Sequence, residues 1–210
     1  MVLKAIQRED EHHFDKQREF ADKREQGGFD VLFFGDSLTR RWEDNPELWN
    51  RYFGRFHPLN FGVGADTLEN MMWRVAAGNL DGLSPRLIHF LAGTNNLSED
   101  PWPTVLEKIL ALIETMEGRL PGVPFIVTGL YPRNPDDKGI DYNGMIRNIN
   151  PGLESFCAGR GYRFLDFSAL LLDGGGRVRE SVQPDGLHLN DEGYRLIGPV
   201  LEREIEAMLR

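Results

Sequence analysis

The chain has 210 residues, of which 40% are hydrophobic, 27% charged and 10% aromatic, and its formal net charge is −9. This composition excludes a disordered chain, which would lack apolar and aromatic residues. The acidic balance argues against nucleic-acid binding, because phosphate contacts require clustered lysines and arginines. The single cysteine, Cys157, excludes an internal disulfide, and we interpret it as a buried thiol without a redox role.

The length favours one domain. No stretch approaches the roughly 20 continuous apolar residues of a membrane span. The first ten residues lack the apolar core of a secretory signal. We therefore expect a protein without a membrane span, located in the cytoplasm.

The N-terminal region is strongly charged. Residues 8–26 are rich in both acidic and basic side chains and end at Gly27 and Gly28, which predicts a mostly solvated helix. We interpret residues 1–28 as a helical extension and residues 29–210 as the domain. His12 and His13, inside this helix, are expected to be surface histidines.

The rest of the chain alternates between short apolar runs and amphipathic segments. The runs are typical of strands buried on both faces and comprise Asp30–Phe34, His57–Phe61, Arg86–Leu91, Pro124–Leu130 and Tyr162–Phe167. Helical spacing of apolar residues follows Leu68, Val105 and Tyr194, and a further helix is predicted over Asp141–Cys157, kinked or split at Pro151. This alternation predicts the α/β class: a single three-layer α/β/α domain with a five-stranded parallel sheet of flavodoxin-like type. Ligands of such sheets bind at the carboxyl ends of the strands.

The first predicted strand ends in Gly35-Asp36-Ser37. The glycine permits a tight turn, and the following helix directs N–H groups and positive dipole at the Ser37 oxygen, as in a nucleophile elbow. The alternative is that Asp36 or Ser37 only caps the helix.

Polar groups also follow the next two strands. Gly64 can present a bare N–H to an anion, although a tight turn with positive φ also explains a glycine there. Asn95 offers a neutral amide donor suited to an oxyanion, and the alternative is an asparagine-rich turn.

Asp185 and His188 are three residues apart, just before the last helix. In a turn, the carboxylate can bind the imidazole N–H, select its tautomer and stabilise the imidazolium. The alternative is an exposed turn before a helix capped by Asn190. His57 and His89 lie in or beside apolar strands and are interpreted as core or rim residues.

These residues all follow strand ends or precede the last helix, so they are predicted to share one edge of the sheet. The order Ser37, Asp185, His188 supplies a nucleophile, an orienting carboxylate and a base. The combination therefore points to nucleophilic catalysis more strongly than any single motif does.

The sequence resembles the SGNH (GDSL-type) esterase family from Phe29 to Leu209. The family blocks are present as Gly35-Asp36-Ser37-Leu38, Gly64, Gly93-Thr94-Asn95-Asn96 and Asp185-x-x-His188. Within the family it most resembles the catalytic subunits of intracellular platelet-activating-factor acetylhydrolase, with Asn60–Gly64 and Gly129–Arg133 among the shared segments. Asn96 stands where most of the family has aspartate, and Ala65 where a glycine is frequent in that subset.

The resemblance implies acyl transfer from an ester to water with no metal and no cofactor. Ser37 would attack the carbonyl, His188 would act as base and then acid, and Asp185 would orient His188. The N–H groups of Ser37 and Gly64 and the side-chain amide of Asn95 would form the oxyanion hole.

The residues beside this machinery bear on the substrate. Leu38, Thr94 and Leu187 predict a shallow pocket for short acyl groups such as acetyl, on an ester of a lipid, sugar or other small molecule. Trp42, Tyr131 and Arg133 are candidates for the leaving-group side or for packing. The related subunits dimerise, which suggests a homodimer. Two alternatives are a flavodoxin-like module that binds a phosphate or FMN, and an inactive scaffold of the same fold.

Overall fold

A computed structural model describes residues 3–135 and 139–210. Their five strands form one parallel sheet in the order β2-β1-β3-β4-β5. The strands are β1 (Val31–Gly35), β2 (Pro58–Gly62), β3 (Leu87–Leu91), β4 (Phe125–Thr128) and β5 (Arg163–Leu165). Each overlaps one of the predicted apolar runs, so the prediction of a five-stranded parallel sheet is confirmed.

The α-helices of the described residues connect and flank these strands. They are α1 (Glu11–Gln26), α2 (Ser37–Arg40), α3 (Pro46–Phe53), α4 (Leu68–Ala76), α5 (Trp102–Arg119), α6 (Tyr142–Arg160), α7 (Ser168–Leu171) and α8 (Asp191–Leu209). The five longest were predicted. The sequence analysis missed α3, which begins at Pro46 after Asn45 accepts a hydrogen bond from the Leu48 N–H at 3.0 Å.

Of the kink or break that we expected at Pro151, the break does not occur, because α6 is continuous through this residue. A proline in a helix leaves the carbonyl four residues earlier without its N–H partner. That carbonyl belongs to Arg147, and both Arg147 and Pro151 are exposed, so water can take the missing donor's place.

The sheet separates two apolar layers. Alternate residues of β1 point into opposite layers: Leu32 and Phe34 into one, Val31 and Phe33 into the other. The first layer receives side chains of α1, α4, α5 and α6, and the second those of α3 and α8. This is the predicted three-layer α/β/α arrangement.

The N-terminal region packs on the first of these layers. Phe20 of α1 is fully buried and stacks on Phe61 of β2, with 4.2 Å between ring centroids. His13 is also buried, with its ring 5.2 Å from that of Trp73, so the expectation of a surface histidine is wrong. His13 and Phe20 are seven residues apart and therefore share one face of α1. Burial lowers the pKa of His13, which favours the neutral ring.

Candidate active site

Ser37 lies at a tight turn between β1 and α2. It is the first residue of α2, and Asp36 caps the helix by accepting a hydrogen bond from the Leu38 N–H at 2.9 Å. Gly35 is required at this turn, because a Cβ there would collide with the carbonyl oxygen of Leu91. The geometry combines both interpretations of the motif: Asp36 is the cap, and Ser37 stands at the elbow.

The Ser37 hydroxyl meets His188, 151 residues later in the chain. Its Oγ lies 2.9 Å from His188 Nε2, and His188 Nδ1 lies 2.7 Å from Asp185 Oδ2. The predicted pair therefore folds back on itself as expected, and the three side chains form one continuous hydrogen-bonded row.

The loop around Asp185 holds that carboxylate in place. Its Oδ1 accepts hydrogen bonds from the backbone N–H groups of Leu187 at 3.0 Å and His188 at 2.7 Å. Burial would by itself raise the pKa of Asp185, but these bonds and the contact with the His188 ring outweigh it and lower the pKa to about 2. Asp185 therefore stays ionised near neutral pH and faces the imidazole as a negative charge.

Gly64 follows β2 in a loop that also contains Ala65. The left-handed backbone that we allowed for Gly64 belongs to Ala65, which has a φ of 63°. Within the described residues, the Gly64 N–H has no acceptor in the protein, while the Gly64 carbonyl accepts a hydrogen bond from Arg8 Nη1 at 2.6 Å. The N–H of Ser37 is one of the unpaired donors at the start of a helix.

The two neighbouring asparagines have different surroundings. Asn95 donates from Nδ2 to the carbonyl oxygen of Asp66 at 2.8 Å, which uses one of its two amide hydrogens. The Asn96 side chain is buried and accepts from the Leu68 N–H at 2.9 Å, which satisfies a donor at the start of α4. Only Asn95 lines the cleft described next.

A cleft of about 590 Å³ opens over the serine and the histidine. It gathers the predicted nucleophile, base and oxyanion-hole residues with one predicted substrate-binding residue, Leu187. Its lining consists of Arg8, His12, Ser37, Arg40, Arg41, Gly64, Ala65, Asn95, Leu187 and His188. The structure thus brings together residues from α2, from the segments that contain Gly64, Asn95 and His188, and from the N-terminal segment.

Other predicted neighbours lie outside the cleft. Leu38 is buried in the second apolar layer, and so are Trp42 and Tyr131. Thr94 is 1% exposed and accepts hydrogen bonds from Arg133 Nη1 through its carbonyl at 3.1 Å and its hydroxyl at 3.3 Å. For Trp42 and Tyr131, the packing alternative is therefore the right one.

The sequence analysis missed the basic residues of the cleft. Arg40 and Arg41 stand three and four positions after Ser37, a helical spacing that could have placed them on its face of α2. Arg8 and His12 carry no such signal, because they reach the cleft only through the docking of the N-terminal segment.

A buried arginine braces the ends of β1 and β2. Arg74 of α4 is fully buried and donates to the carbonyl oxygens of Phe61 at 2.8 Å and Gly35 at 3.1 Å. Its Nε also lies 2.8 Å from Oδ2 of the buried Asp66. Asp66 in turn accepts from Arg8 Nη1 at 3.0 Å, so the strand ends, the Gly64 loop and the N-terminal segment share one network.

Comparisons with known proteins agree with this architecture. The model of the GDSL-like lipase/acylhydrolase family matches residues 33–196. The chain belongs to this family. The platelet-activating factor acetylhydrolase IB subunit alpha2 of Rattus norvegicus is 32% identical over 185 residues, covering 86% of this chain and 77% of that protein. The alpha1 subunit of Bos taurus is 30% identical over 166 residues, covering 79% and 70%.

Solved structures show the same fold at low sequence identity. A GDSL-like lipase of Bacteroides thetaiotaomicron has a TM-score of 0.77 at 18% identity and covers 90% of this chain and 97% of that one. The lipase/acylhydrolase of Enterococcus faecalis has a TM-score of 0.66 at 20% identity, covering 87% and 98%. The expected SGNH fold and family are confirmed, and the chain is an ester hydrolase. The family match thus decides against the flavodoxin-like binding-module alternative.

Two further observations concern the described residues. None of their helices is long and apolar enough to cross a membrane. In residues 3–135 and 139–210, no three histidine, cysteine, aspartate or glutamate side chains are placed to hold a metal ion together.

Proposed function

We propose that this family member is a serine esterase that hydrolyses short-chain, acetyl-type carboxylic esters of a lipid, sugar or other small molecule through an acyl-enzyme. The observation that carries the proposal is the row from Ser37 Oγ through His188 to Asp185, with separations of 2.9 and 2.7 Å, at the floor of an open cleft. The row provides a nucleophile beside a base, and the base beside a fixed negative charge.

In the first half-reaction, Ser37 Oγ bonds to the ester carbonyl carbon while His188 Nε2 takes the hydroxyl proton. The charge on the carbonyl oxygen is held by the N–H groups of Ser37 and Gly64 and by the free hydrogen of the Asn95 amide. Collapse of this intermediate breaks the bond to the alcohol, which receives the proton from His188. Asp185 keeps Nδ1 protonated and stabilises the imidazolium throughout.

In the second half-reaction, water attacks the acyl group on Ser37. His188 takes a proton from the water and returns it to Ser37 Oγ when the carboxylic acid leaves. The chemistry that we propose uses no metal and no cofactor, and we expect chelation with EDTA to leave the rate unchanged.

The acetyl preference rests on the apolar content of the cleft. Ala65 and Leu187 are the apolar side chains among its described lining residues, whereas Leu38 and Thr94 are buried outside it. A long acyl chain would find little surface on which to be buried. The name acetylhydrolase of the mammalian relatives points the same way.

A series of p-nitrophenyl esters tests the proposal. We expect acetate and butyrate to be cleaved and decanoate to be poor, with Leu187→Ala shifting the optimum to longer chains. A preference for octanoate over acetate would contradict the shallow site.

Ser37→Ala should fold normally and lose roughly 10⁴–10⁶ in kcat. A fluorophosphonate should label Ser37 alone. Labelling elsewhere, or a variant that keeps a tenth of the activity, would refute the nucleophile assignment.

We also propose a homodimer and a cytoplasmic location. Light scattering of the purified protein and fractionation of its cells test these two proposals. A monomer at working concentrations, or recovery outside the cytoplasm, would contradict the respective proposal.

A further inference from the structure

The charges lining the cleft have one sign. Its ionisable side chains are Arg8, His12, Arg40, Arg41 and His188, and no carboxylate lies among its described lining residues. The whole chain carries a net charge of −9, so this concentration of basic groups runs against the overall balance. A cleft of this kind attracts negatively charged ligands.

Most of these cations already have partners in the protein. Arg8 binds Asp10 at 2.7 Å and Asp66 at 3.0 Å, and Arg40 binds Asp44 at 2.9 Å. Arg41 differs from them. Within residues 3–135 and 139–210, no carboxylate lies within 4.0 Å of its guanidinium, although the residue is half-buried. The cleft therefore contains a partly desolvated cation that still lacks an anion.

Arg41 also has a defined position relative to the nucleophile. Its backbone N–H donates to the carbonyl oxygen of Ser37, so it follows Ser37 by one helical turn. Residues three and four apart share a helix face, and four residues correspond to about 6 Å of helix rise. Arg40 and Arg41 thus form one cationic edge beside the reacting serine.

We propose that Arg41, assisted by Arg40, selects esters whose leaving alcohol carries a carboxylate or a phosphate. This inference rests on the proposed esterase function and specifies its substrate class. We assign the negative charge to the leaving alcohol, because an acetyl group contains no ionisable group. Both kinds of ester would carry an anionic group a few bonds from the ester oxygen, within reach of the Arg41 guanidinium.

The position of the charge decides which kinetic constant responds. An anion outside the reacting ester keeps the same charge in the ground state and the transition state. Its attraction to Arg41 therefore lowers KM and leaves kcat nearly constant. The preference should shrink as salt rises, because screening weakens the attraction.

Three acetyl esters of similar size test the inference: neutral 4-acetoxybenzamide, 4-acetoxybenzoate and 4-acetoxyphenyl phosphate. The readout is kcat/KM for each anionic ester divided by that for the neutral one, compared between variants so that intrinsic reactivity cancels. We expect Arg41→Gln to lower both ratios about tenfold and Arg41→Lys to retain most of them. The effect should be larger for the phosphate, because a phosphate monoester near neutral pH carries more negative charge than a carboxylate.

Arg86→Gln is the matched control. Arg86 directly precedes β3 and therefore lies at the opposite edge of the sheet, and its side chain is 58% exposed. The Arg86→Gln substitution removes the same charge from the chain as Arg41→Gln, but far from the cleft. Both ratios should therefore stay at the wild-type values. Ratios that are unchanged in Arg41→Gln, or that fall equally in Arg86→Gln, would overturn the inference while leaving the esterase intact.

A binding measurement separates the inference from the proposed function. Phenyl phosphate and benzoate are titrated into the wild type and Arg41→Gln and followed by ligand-observed NMR. Weaker binding to the variant supports the anion site even if no ester is hydrolysed, an outcome that would refute only the esterase proposal. Equal binding to both proteins would contradict the anion site.

Discussion

At the scale of single residues, the adjacent Asn95 and Asn96 side chains have different environments and different expected roles. Asn95 reaches the cleft with one amide hydrogen bound to the Asp66 carbonyl, whereas Asn96 is buried and binds the start of α4. Asn96 also donates to Glu69 at 2.9 Å and to Asp100 at 3.2 Å. The two positions therefore separate transition-state stabilisation from folding stability.

Asn95→Ala should fold normally and keep a similar KM, while kcat falls roughly 10²–10³-fold, because the donor acts when the oxyanion forms. Asn96→Ala should instead lower the free energy of unfolding by about 1–3 kcal/mol, since it leaves buried groups without partners. Kinetics and urea denaturation of both variants check this contrast. Equal losses of kcat, or a pure KM effect at Asn95, would overturn the assigned roles.

Asp36, directly before the nucleophile, is fully buried. Burial raises its pKa to about 7, although the hydrogen bond from the Leu38 N–H opposes the shift. The folded protein thus holds this proton at pH values where the unfolded chain has released it. The stability that Asp36 contributes is present below about pH 4 and is lost as the pH rises toward 7.

Asp36→Asn should remove this pH dependence while keeping the cap, because an asparagine oxygen can accept the same hydrogen bond. We expect the variant to gain stability relative to the wild type between pH 4 and 8, by at most about 4 kcal/mol. Urea denaturation across that range measures the gain, with Asp81→Asn, at an exposed carboxylate, as control. An unchanged difference between the two proteins at pH 4 and 8 would contradict the raised pKa.

At the scale of elements, the N-terminal segment forms part of the site. Two hydrogen bonds join it to α4: the Ile6 N–H donates to the backbone carbonyl of Glu69 at 3.0 Å, and the Asn70 side chain donates from Nδ2 to the Ile6 carbonyl at 2.9 Å. Arg8 then reaches the Gly64 carbonyl. The boundary between residues 1–28 and 29–210 remains a prediction, but residues 3–26 are packed on the domain rather than detached from it.

Arg8→Gln should loosen the Gly64 loop and lower kcat about tenfold or more, because an oxyanion donor must be held in place to be effective. Arg24→Gln is its matched control. Arg24 also anchors the N-terminal segment through a carbonyl, that of Gly78 at 2.6 Å, but it does not line the cleft. Both variants should lose stability, and only Arg8→Gln should lose kcat.

At the scale of the whole molecule, the parallel sheet places the ends of β1, β2 and β3 at one edge. Gly62 lets α2 approach β2, since a Cβ there would collide with the backbone of Arg40. Arg74 then donates hydrogen bonds to carbonyl oxygens at the C-terminal ends of β1 and β2. The active-site edge is held from below by a buried ion pair as well as by apolar packing.

Arg74→Met should lower the free energy of unfolding by about 3–5 kcal/mol, because the buried Asp66 then keeps only Arg8 as a counter-ion and the carbonyls of Gly35 and Phe61 lose their donors. Asp66→Asn added to Arg74→Met should recover part of that loss, since no unpaired charge then remains. Denaturation of the two single variants and the double variant measures the coupling. Strictly additive losses would show that the pair acts as two independent groups.

Local sequence patterns are enough to predict the strands, the longer helices and the candidate nucleophile, base and orienting carboxylate. Apolar periodicity, strand-end motifs and the three-residue spacing of Asp185 and His188 are local patterns, and local geometry follows from them. Which polar side chains are buried and which line the cleft depends on how distant segments pack together. His13, Arg74 and Arg8 carry no local signal, because their environments arise from segments far apart in the chain. Arg41 had a local signal in its spacing from Ser37, but only the folded cleft revealed that this cation lacks a counter-ion.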